Sequence, residues 1–438
     1  MCLRPTPHSK SALQHSESCE RKQHAVKRRT PRHEPPSSSA RKSAGRRHSK
    51  VEVPCRTAGT GIEASRLARL DGPRSSSRSA RLVALALAAA VALLAAACGS
   101  STSETAVGGS EISSTSSSSA TTAPPVPTAP LTGIPISAAE EARLQRPALV
   151  VKIDNDVLAM PQAGLNQADI VIEEPVWEKS RFAAIFHSQD IERVGPIRSA
   201  RTHDAELLPM LGHPLVAWSG GNEGVTEIMY EADVHNVNHD LVAFEDYYRD
   251  STRPAPHNLY STGSVLRGYA TPEDTPPAPQ FQYYAPGDDL PGTATPAAGL
   301  TLDFGTEDGE PMWVWAADRN TWVRYQDGGP HVDETGAQLS AVNVVSVEVT
   351  TIPGPADARD PHAITTGTGA VAVFSQGHVI YGLWARSDAH HPFTLTDYEG
   401  NPIMLTPGNT YLAITPVDGT ALMDEGTAAS VLATGRTP

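Results

Sequence analysis

The chain has 438 residues, 37 of them Pro and 34 Gly, and its net charge of −14 hides a split: residues 1–81 carry 19 Lys and Arg against 6 Asp and Glu, the rest 16 against 43. So acidic a body repels phosphate backbones, which disfavours nucleic acid as a partner. The cysteines are Cys2, Cys19, Cys55 and Cys98, which excludes a disulfide framework, a thiolate metal site and a cysteine nucleophile from everything that follows them.

Residues 1–81, long, basic and rich in Ser, read as a disordered leader or as the product of a start site assigned too early. Arg74, Arg78 and Arg81 then precede Leu82–Ala97, an uncharged run of Leu, Val and Ala. A basic flank and a short apolar core ending in small residues describe a signal peptide over 82–98. The run is shorter than the roughly 20 residues a membrane span needs. It closes Leu94-Ala95-Ala96-Ala97-Cys98-Gly99-Ser100, similar to a bacterial lipoprotein signal in which Cys98 is lipidated, although Ala95 stands where that pattern has Leu. Residues 99–130 are Ser, Thr, Ala and Pro with little to bury, a tether expected to span roughly 30 Å as a coil.

Residues 131–272 read as a first domain. Ala148–Ile153, Ala168–Glu174 and Arg181–His187 are apolar, β-branched runs that predict strands covered on both faces. After Gly195-Pro196, Ser199 stands where a helix N-cap would, ahead of a helix expected over Ala200–Leu211 with Pro209 as a late interruption. Leu215–Trp218 predicts a further strand and Thr262–Ala270 a further helix. Asp154, Asn155, Gln162, Glu173, Glu174, Arg181, Arg198, Ser199, Arg201, Arg249, Arg253, His257 and Asn258 gather near these strand ends. Arg198 and Arg201 beside a helix start form a candidate anion clamp, completed by Ser199, His257 and Asn258; structural ion pairing is the competing reading of the same residues.

Three catalytic readings compete with that clamp. Asp154 with Glu173 or Glu174 could act as paired carboxylates across a cleft on a glycosidic bond. Ser199 with His257 could be nucleophile and base, but Gly195–Arg201 is no nucleophile elbow. His235-Asn236-Val237-Asn238-His239 has the spacing of helical metal ligands without helix formers or an intervening Glu. His390-His391 reads as a solvated loop. No metal and no cofactor are therefore assigned, and whether the protein is an enzyme stays open.

After a Pro-rich stretch (271–296, with Phe281, Tyr283 and Tyr284 as a candidate strand), residues 296–417 read as a mainly β domain, a small barrel or sandwich. Its strands are expected at Trp313–Trp315, Trp322–Tyr325, Val342–Thr350, Ala370–Phe374, Val379–Trp384, Phe393–Thr396, Ile403–Leu405 and Thr410–Ile414. Trp313, Trp315, Trp322 and Trp384 read as core, with a sugar platform as the alternative. The tail from Val417 is expected to be poorly ordered. The fold class is α+β: a mixed α/β sandwich followed by the β domain.

With those motifs laid out, the chain resembles the YerB-like lipoprotein family, whose N- and C-terminal domains are both of unknown function. The matching stretches of the first domain are Arg146-Pro147, Ile153-Asp154-Asn155, Pro161–Leu165, Ala168–Val171, Glu173-Glu174, Gly195-Pro196-Ile197-Arg198-Ser199-Ala200-Arg201 and Arg253-Pro254-Ala255-Pro256-His257-Asn258-Leu259-Tyr260. In the second they are Asn343-Val344-Val345, Gly367–Phe374, Gly382-Leu383-Trp384 and Gly400–Gly408. Trp177-Glu178-Lys179-Ser180 departs from the Gly-rich turn expected before Arg181. The resemblance implies a lipid-anchored, extracytoplasmic protein of Gram-positive-type cells and supplies no activity. The residues then suggest a protein holding an anionic or glycan cell-envelope component, with a wall-glycan hydrolase or a scaffold for other envelope proteins as alternatives.

Overall fold

The computed structural model describes residues 126–285, 287–306 and 309–438. The leader, the signal run, Cys98 and the tether up to residue 125 lie outside the described residues. The last residues of the expected tether are tied into the fold: Thr128 bridges Pro135, and the Ile136 N–H donates to Pro127 O at 2.9 Å. Among the described residues no helix is long and apolar enough to cross a membrane.

The chain folds as α+β around one large mixed sheet. Its main strands, in chain order, are β1 (Leu149–Asp154), β2 (Ile170–Val176), β3 (Lys179–Phe186), β4 (Leu215–Ala217), β5 (His235–Asn236), β6 (Asn343–Val349), β7 (Gly367–Ser375), β8 (His378–Arg386), β9 (Thr394–Asp397) and β10 (Thr410–Pro416). They lie side by side as β9-β8-β7-β6-β10-β2-β3-β1-β4-β5, with the short strand Thr295–Pro296 against β8. The segments expected as a first and a second domain thus contribute to the same sheet. β10 joins them, running parallel to β6 on one side and to β2 on the other.

Continuous apolar strand sequences follow from cover on both faces. Val150, Ile172, Ala183, Ile185, Val345, Val373 and Leu412 face a layer that includes Leu207, Leu208, Leu211, Val225 and Met229. Their neighbours Val151, Phe182, Ala184, Phe374 and Tyr411 face a second, six-stranded sheet through its Leu300, Leu302, Trp313 and Trp322. That smaller sheet is built from Gly299–Leu302, Met312–Ala316, Thr321–Gln326, Gly329–Pro330, Ser340–Ala341 and Thr420–Met423. Trp313 packs on Tyr411 at 4.6 Å between ring centroids, Trp322 edge-on to Phe374, and Trp384 edge-on to Phe393. All three are buried, so they are core, and no sugar platform forms on them.

Three expectations are corrected. The helix expected over Ala200–Leu211 is only Asp204–Leu207, followed by a 3₁₀ turn over Leu208–Leu211. Pro209 lacks the N–H and crowds the carbonyl four residues back, so an α-helix cannot pass through it. Ser199 is therefore not a cap: the Arg198 N–H donates to Lys152 O at 2.9 Å and Arg198 O accepts from the Ser219 N–H at 3.0 Å, which holds this stretch extended across the ends of β1 and β4. The tail is ordered too. Asp424 caps a helix over Glu425–Thr434, whose Ala428 and Val431 pack on Val314, Val323 and Tyr325 beneath the small sheet. Finally, Ile403–Leu405 and Phe281–Tyr284 form no strands and meet only through the Tyr283–Leu405 bridge.

Candidate functional site: a charged row across three strands

Strand pairing sets the site. In β3, Arg181 lies opposite Asp154 of β1 on one side and Glu174 of β2 on the other, so the three share one face as a cross-strand row. Glu173 points the other way, because successive side chains in a strand alternate faces. The adjacent glutamates therefore have separate partners.

On the small-sheet side, Glu173 is fully buried and accepts two bonds from one Arg324 nitrogen, each 3.0 Å, with further donors from Ser180 and Tyr411 and from Asn155 at 3.2 Å. Burial pushes the Glu173 carboxyl up against the pull of Arg324, and burial lowers Arg324 in turn. His331 touches Arg324 and donates through Nε2 to Gln162 Oε1 at 2.8 Å; burial and then the Arg324 charge keep its ring neutral.

On the other side, the Lys152 ammonium bonds Glu174 and, at 2.7 Å, Asp204, with His203 Nε2 3.3 Å from the second Glu174 oxygen. All four side chains are wholly buried. Glu174, His203 and Asp204 are close enough to share a metal ion, but the lysine already supplies the cation between the two carboxylates. Burial opposes ionisation of Glu174, yet Lys152 and His203 outweigh it and hold that carboxyl well below its ordinary range. Burial likewise opposes a charged His203, and Glu174 outweighs it, raising His203.

Those directions fix an expected pH profile. Glu174, depressed from 4.5, contributes stability above that pH and loses it as pH falls through its folded value. His203, raised from 6.5, contributes fully below that pH and loses its share as pH rises through its folded value. A melting series from about pH 3 to about pH 9 should show His203→Asn flattening the alkaline limb and, because His203 also helps depress Glu174, starting the acid loss at a higher pH. An unaltered alkaline limb would take His203 out of the network.

Asp154 closes the row at the edge. Its carboxylate accepts from Arg198 Nε at 3.0 Å and His257 Nδ1 at 2.7 Å, and lies 3.7 Å from Arg181. The two motifs that carry these residues are pinned together: Asp154 N–H donates to Pro196 O at 2.9 Å and Ile197 N–H to Leu259 O at 2.6 Å. Gly195 makes the contact possible, since a Cβ there would lie 2.7 Å from Leu259 O and its φ is +145°. Arg181 is buried, and burial, then the charges of Arg201 and, more weakly, Arg198, lower it to about 9 although Asp154 opposes them. Its Nε has no hydrogen-bond partner. Arg198 is 25 % exposed and His257 12 %, against 1 % for Asp154. Among the described residues His257 Nε2 has no hydrogen-bond partner.

The structure thus brings Asp154, Arg198, Arg201 and His257 to one place but departs from the expected site elsewhere. Asn258 is no ligand group: it braces the loop, donating to Asp250 O and Arg253 O at 3.1 Å each and accepting from Arg249. Ser199 lends its carbonyl to Arg181 at 3.4 Å and has no helix start behind it. Asp154 shares a face with Glu174 but not with Glu173, and all three carboxylates are buried with cations of their own, so neither glutamate forms an open paired-carboxylate cleft with Asp154. His235 turns to Asp274 and His239 to Asp240, so their helical metal spacing comes to nothing. Sequence reasoning missed Asp360 and Trp177. Asp360 pairs with Arg201 at 2.9 Å and accepts the Trp177 N–H at 3.0 Å. Trp177, 48 % exposed on the β2–β3 turn, lies under the Arg359 guanidinium at 4.4 Å. The departure of this turn from the family pattern was its one signal.

Residues 131–275 match the family model described as the N-terminal domain of a protein of unknown function, DUF3048, and residues 300–412 match its C-terminal domain. The chain is 28 % identical over 310 residues to "Putative lipoprotein YerB" of Bacillus subtilis, a match covering 68 % of this chain and 89 % of that protein. The crystal structure of YerB from Bacillus subtilis is similar in fold, with a TM-score of 0.59 at 24 % identity over 68 % of this chain and 99 % of that one.

Proposed function

Because the chain belongs to the DUF3048 family, in which its relative YerB is named a lipoprotein, we propose that it is an extracytoplasmic protein, tethered to the membrane by lipid on Cys98, that binds an anionic cell-envelope component. The observation that supports this is the edge of the charged row. Arg198 and His257 both reach Asp154 while keeping one side open to solvent, with Arg181 and Arg201 directly behind them. Asp154 answers both Arg181 and Arg198, whose guanidinium groups keep donors for a second anion and suit phosphate or carboxylate. The neighbouring Trp177 face adds an apolar surface of the kind a glycan ring can cover.

The test is a melting screen of the full chain against simple anions, phosphorylated glycans and peptidoglycan fragments. A ligand at about 100 times its dissociation constant adds about 2.7 kcal/mol of stability. Arg198→Ala is expected to abolish the shift while leaving the unliganded melting temperature within a few degrees of the parent. A variant that merely unfolds would make Arg198 a structural ion-pair partner. No shift from any ligand would turn attention to a protein partner.

A further inference from the structure

A second polar cluster lies at the far edge of the large sheet, where chain segments from both halves meet. His213 precedes β4 and His235 opens β5, held beside it by its N–H donating to Pro214 O at 2.9 Å. Beneath both rings Asp274, its side chain fully buried, accepts from His213 Nδ1 at 2.7 Å and from His235 Nδ1 at 2.9 Å. The Thr271 N–H fixes that carboxylate at 2.6 Å. An imidazole that donates through Nδ1 to a buried carboxylate presents its lone pair at Nε2, the arrangement that supports metal-ligating histidines.

His213 Nε2 faces Asp233 Oδ1 at 3.7 Å, and His390 Nε2 faces the other oxygen, Oδ2, at 3.0 Å. His390 arrives on the loop after β8, whose carbonyls at Ala389 and His391 accept from the buried Arg386 at 2.7 and 2.8 Å. Its neighbour His391 turns instead to Asp388. An open groove of about 490 Å³ runs between these groups, lined by Gly212, His213, Asp233, Glu273, Thr275 and His390. With Nδ1 of His213 turned to Asp274, its Nε2 faces the Asp233 carboxylate across 3.7 Å, a place a cation could fill.

We propose that this groove binds one divalent transition metal ion of the zinc class, through Nε2 of His213, Nε2 of His390 and the Asp233 carboxylate. Zinc–nitrogen and zinc–oxygen bonds of about 2.0–2.2 Å set tetrahedral ligand atoms about 3.4 Å apart; the two contacts here run to different oxygens of Asp233, and the three ligand atoms do not all lie within 4.8 Å of one another, so the groups must close on the ion. Asp233 and His390 are 59 % and 60 % exposed, so both side chains are free to turn, and the proposal requires that they do so to meet His213 at a common ion. Two imidazoles and one carboxylate favour zinc, nickel or copper over calcium and magnesium, which take oxygen ligands. The fourth position opens on the groove.

The test uses the full chain with its four cysteines alkylated, titrated with Zn²⁺ by calorimetry and with Co²⁺ by visible absorption. One ion per chain is expected at this site, with cobalt d–d bands. His213→Gln and His390→Gln are each expected to weaken binding at least tenfold, and Asp274→Asn, which keeps every ligand, by about 10–100-fold. His239→Gln, a histidine outside the groove, should bind as the parent does and absorbs the objection that any exposed histidine would serve. Equal stoichiometry and affinity in a folded His213→Gln/His390→Gln double variant, or no ion bound by the parent, overturns the proposal.

Discussion

Arg324→Ala should destabilise the protein by about 3–5 kcal/mol, the loss expected when one partner of a buried ion pair is removed. Arg324 stands on the small sheet and Glu173 on the large one, 151 residues apart, and no water-exposed route exists for either charge to be compensated. Its guanidinium also lies over the Phe182 ring at 5.3 Å, so packing is lost along with charge. Urea unfolding followed by tryptophan fluorescence would report it, because Trp313 and Trp322 sit in the same interface. The loss should shrink in acid, where Glu173, already pushed up by burial, takes a proton and no longer needs a cation. A Glu173→Leu/Arg324→Leu double variant should recover much of the stability, since an apolar pair can replace a buried ionic one. A single variant as stable as the parent would mean that the sheets are held together by apolar contact alone.

Lys152→Met should cost a comparable amount, about 3–5 kcal/mol, on the opposite face of the same strands. The methionine fills the space but leaves Glu174 and Asp204 buried side by side with only His203 to neutralise them. One carboxyl would have to protonate, so the variant should be relatively better off in acid, the reverse of the parent's behaviour through Glu174. Lys152→Arg is not expected to rescue, because a planar fork cannot occupy the place of a compact ammonium wholly enclosed by side chains. Chemical denaturation at about pH 5 and about pH 8 separates the outcomes. A uniform loss at both values would point to packing and not to charge.

Much of this architecture is legible in the sequence because strands announce themselves through continuous β-branched runs; the cores of β1, β2, β3, β6, β7, β8 and β10 all fall where such runs stand. The edge of the site was legible, through Asp154, Arg198, Arg201 and His257, but Lys152, His203 and Asp204 behind it were not. Nor was its partnering, since Arg324 and Asp360 lie far along the chain from Glu173 and Arg201 and nothing local marks them. The adjacent glutamates show the limit most plainly. Side by side in sequence, they read as interchangeable partners for Asp154, whereas strand alternation sends them to different layers. The helix behind Ser199 failed for a local reason that was visible, Pro209, and was given too little weight. The tail failed for a tertiary one: Ala428 and Val431 of its short helix are ordered because the small sheet offers them a face.

The placement of β10 also bears on how such a molecule can be made. Tyr411 and Glu173 are 238 residues apart, and β10 is the parallel neighbour of both β2 and β6. A chain delivered amino end first, from a ribosome or through a translocation channel, presents β2 with a bare edge until nearly all of it has emerged. Long-range parallel pairing is slow to form, and an uncovered edge is an invitation to neighbouring chains. Delivery therefore calls for a temporary cover over β2, and a chain stopped just short of Thr410 would be a seed for misassembly, however much of its other secondary structure had formed.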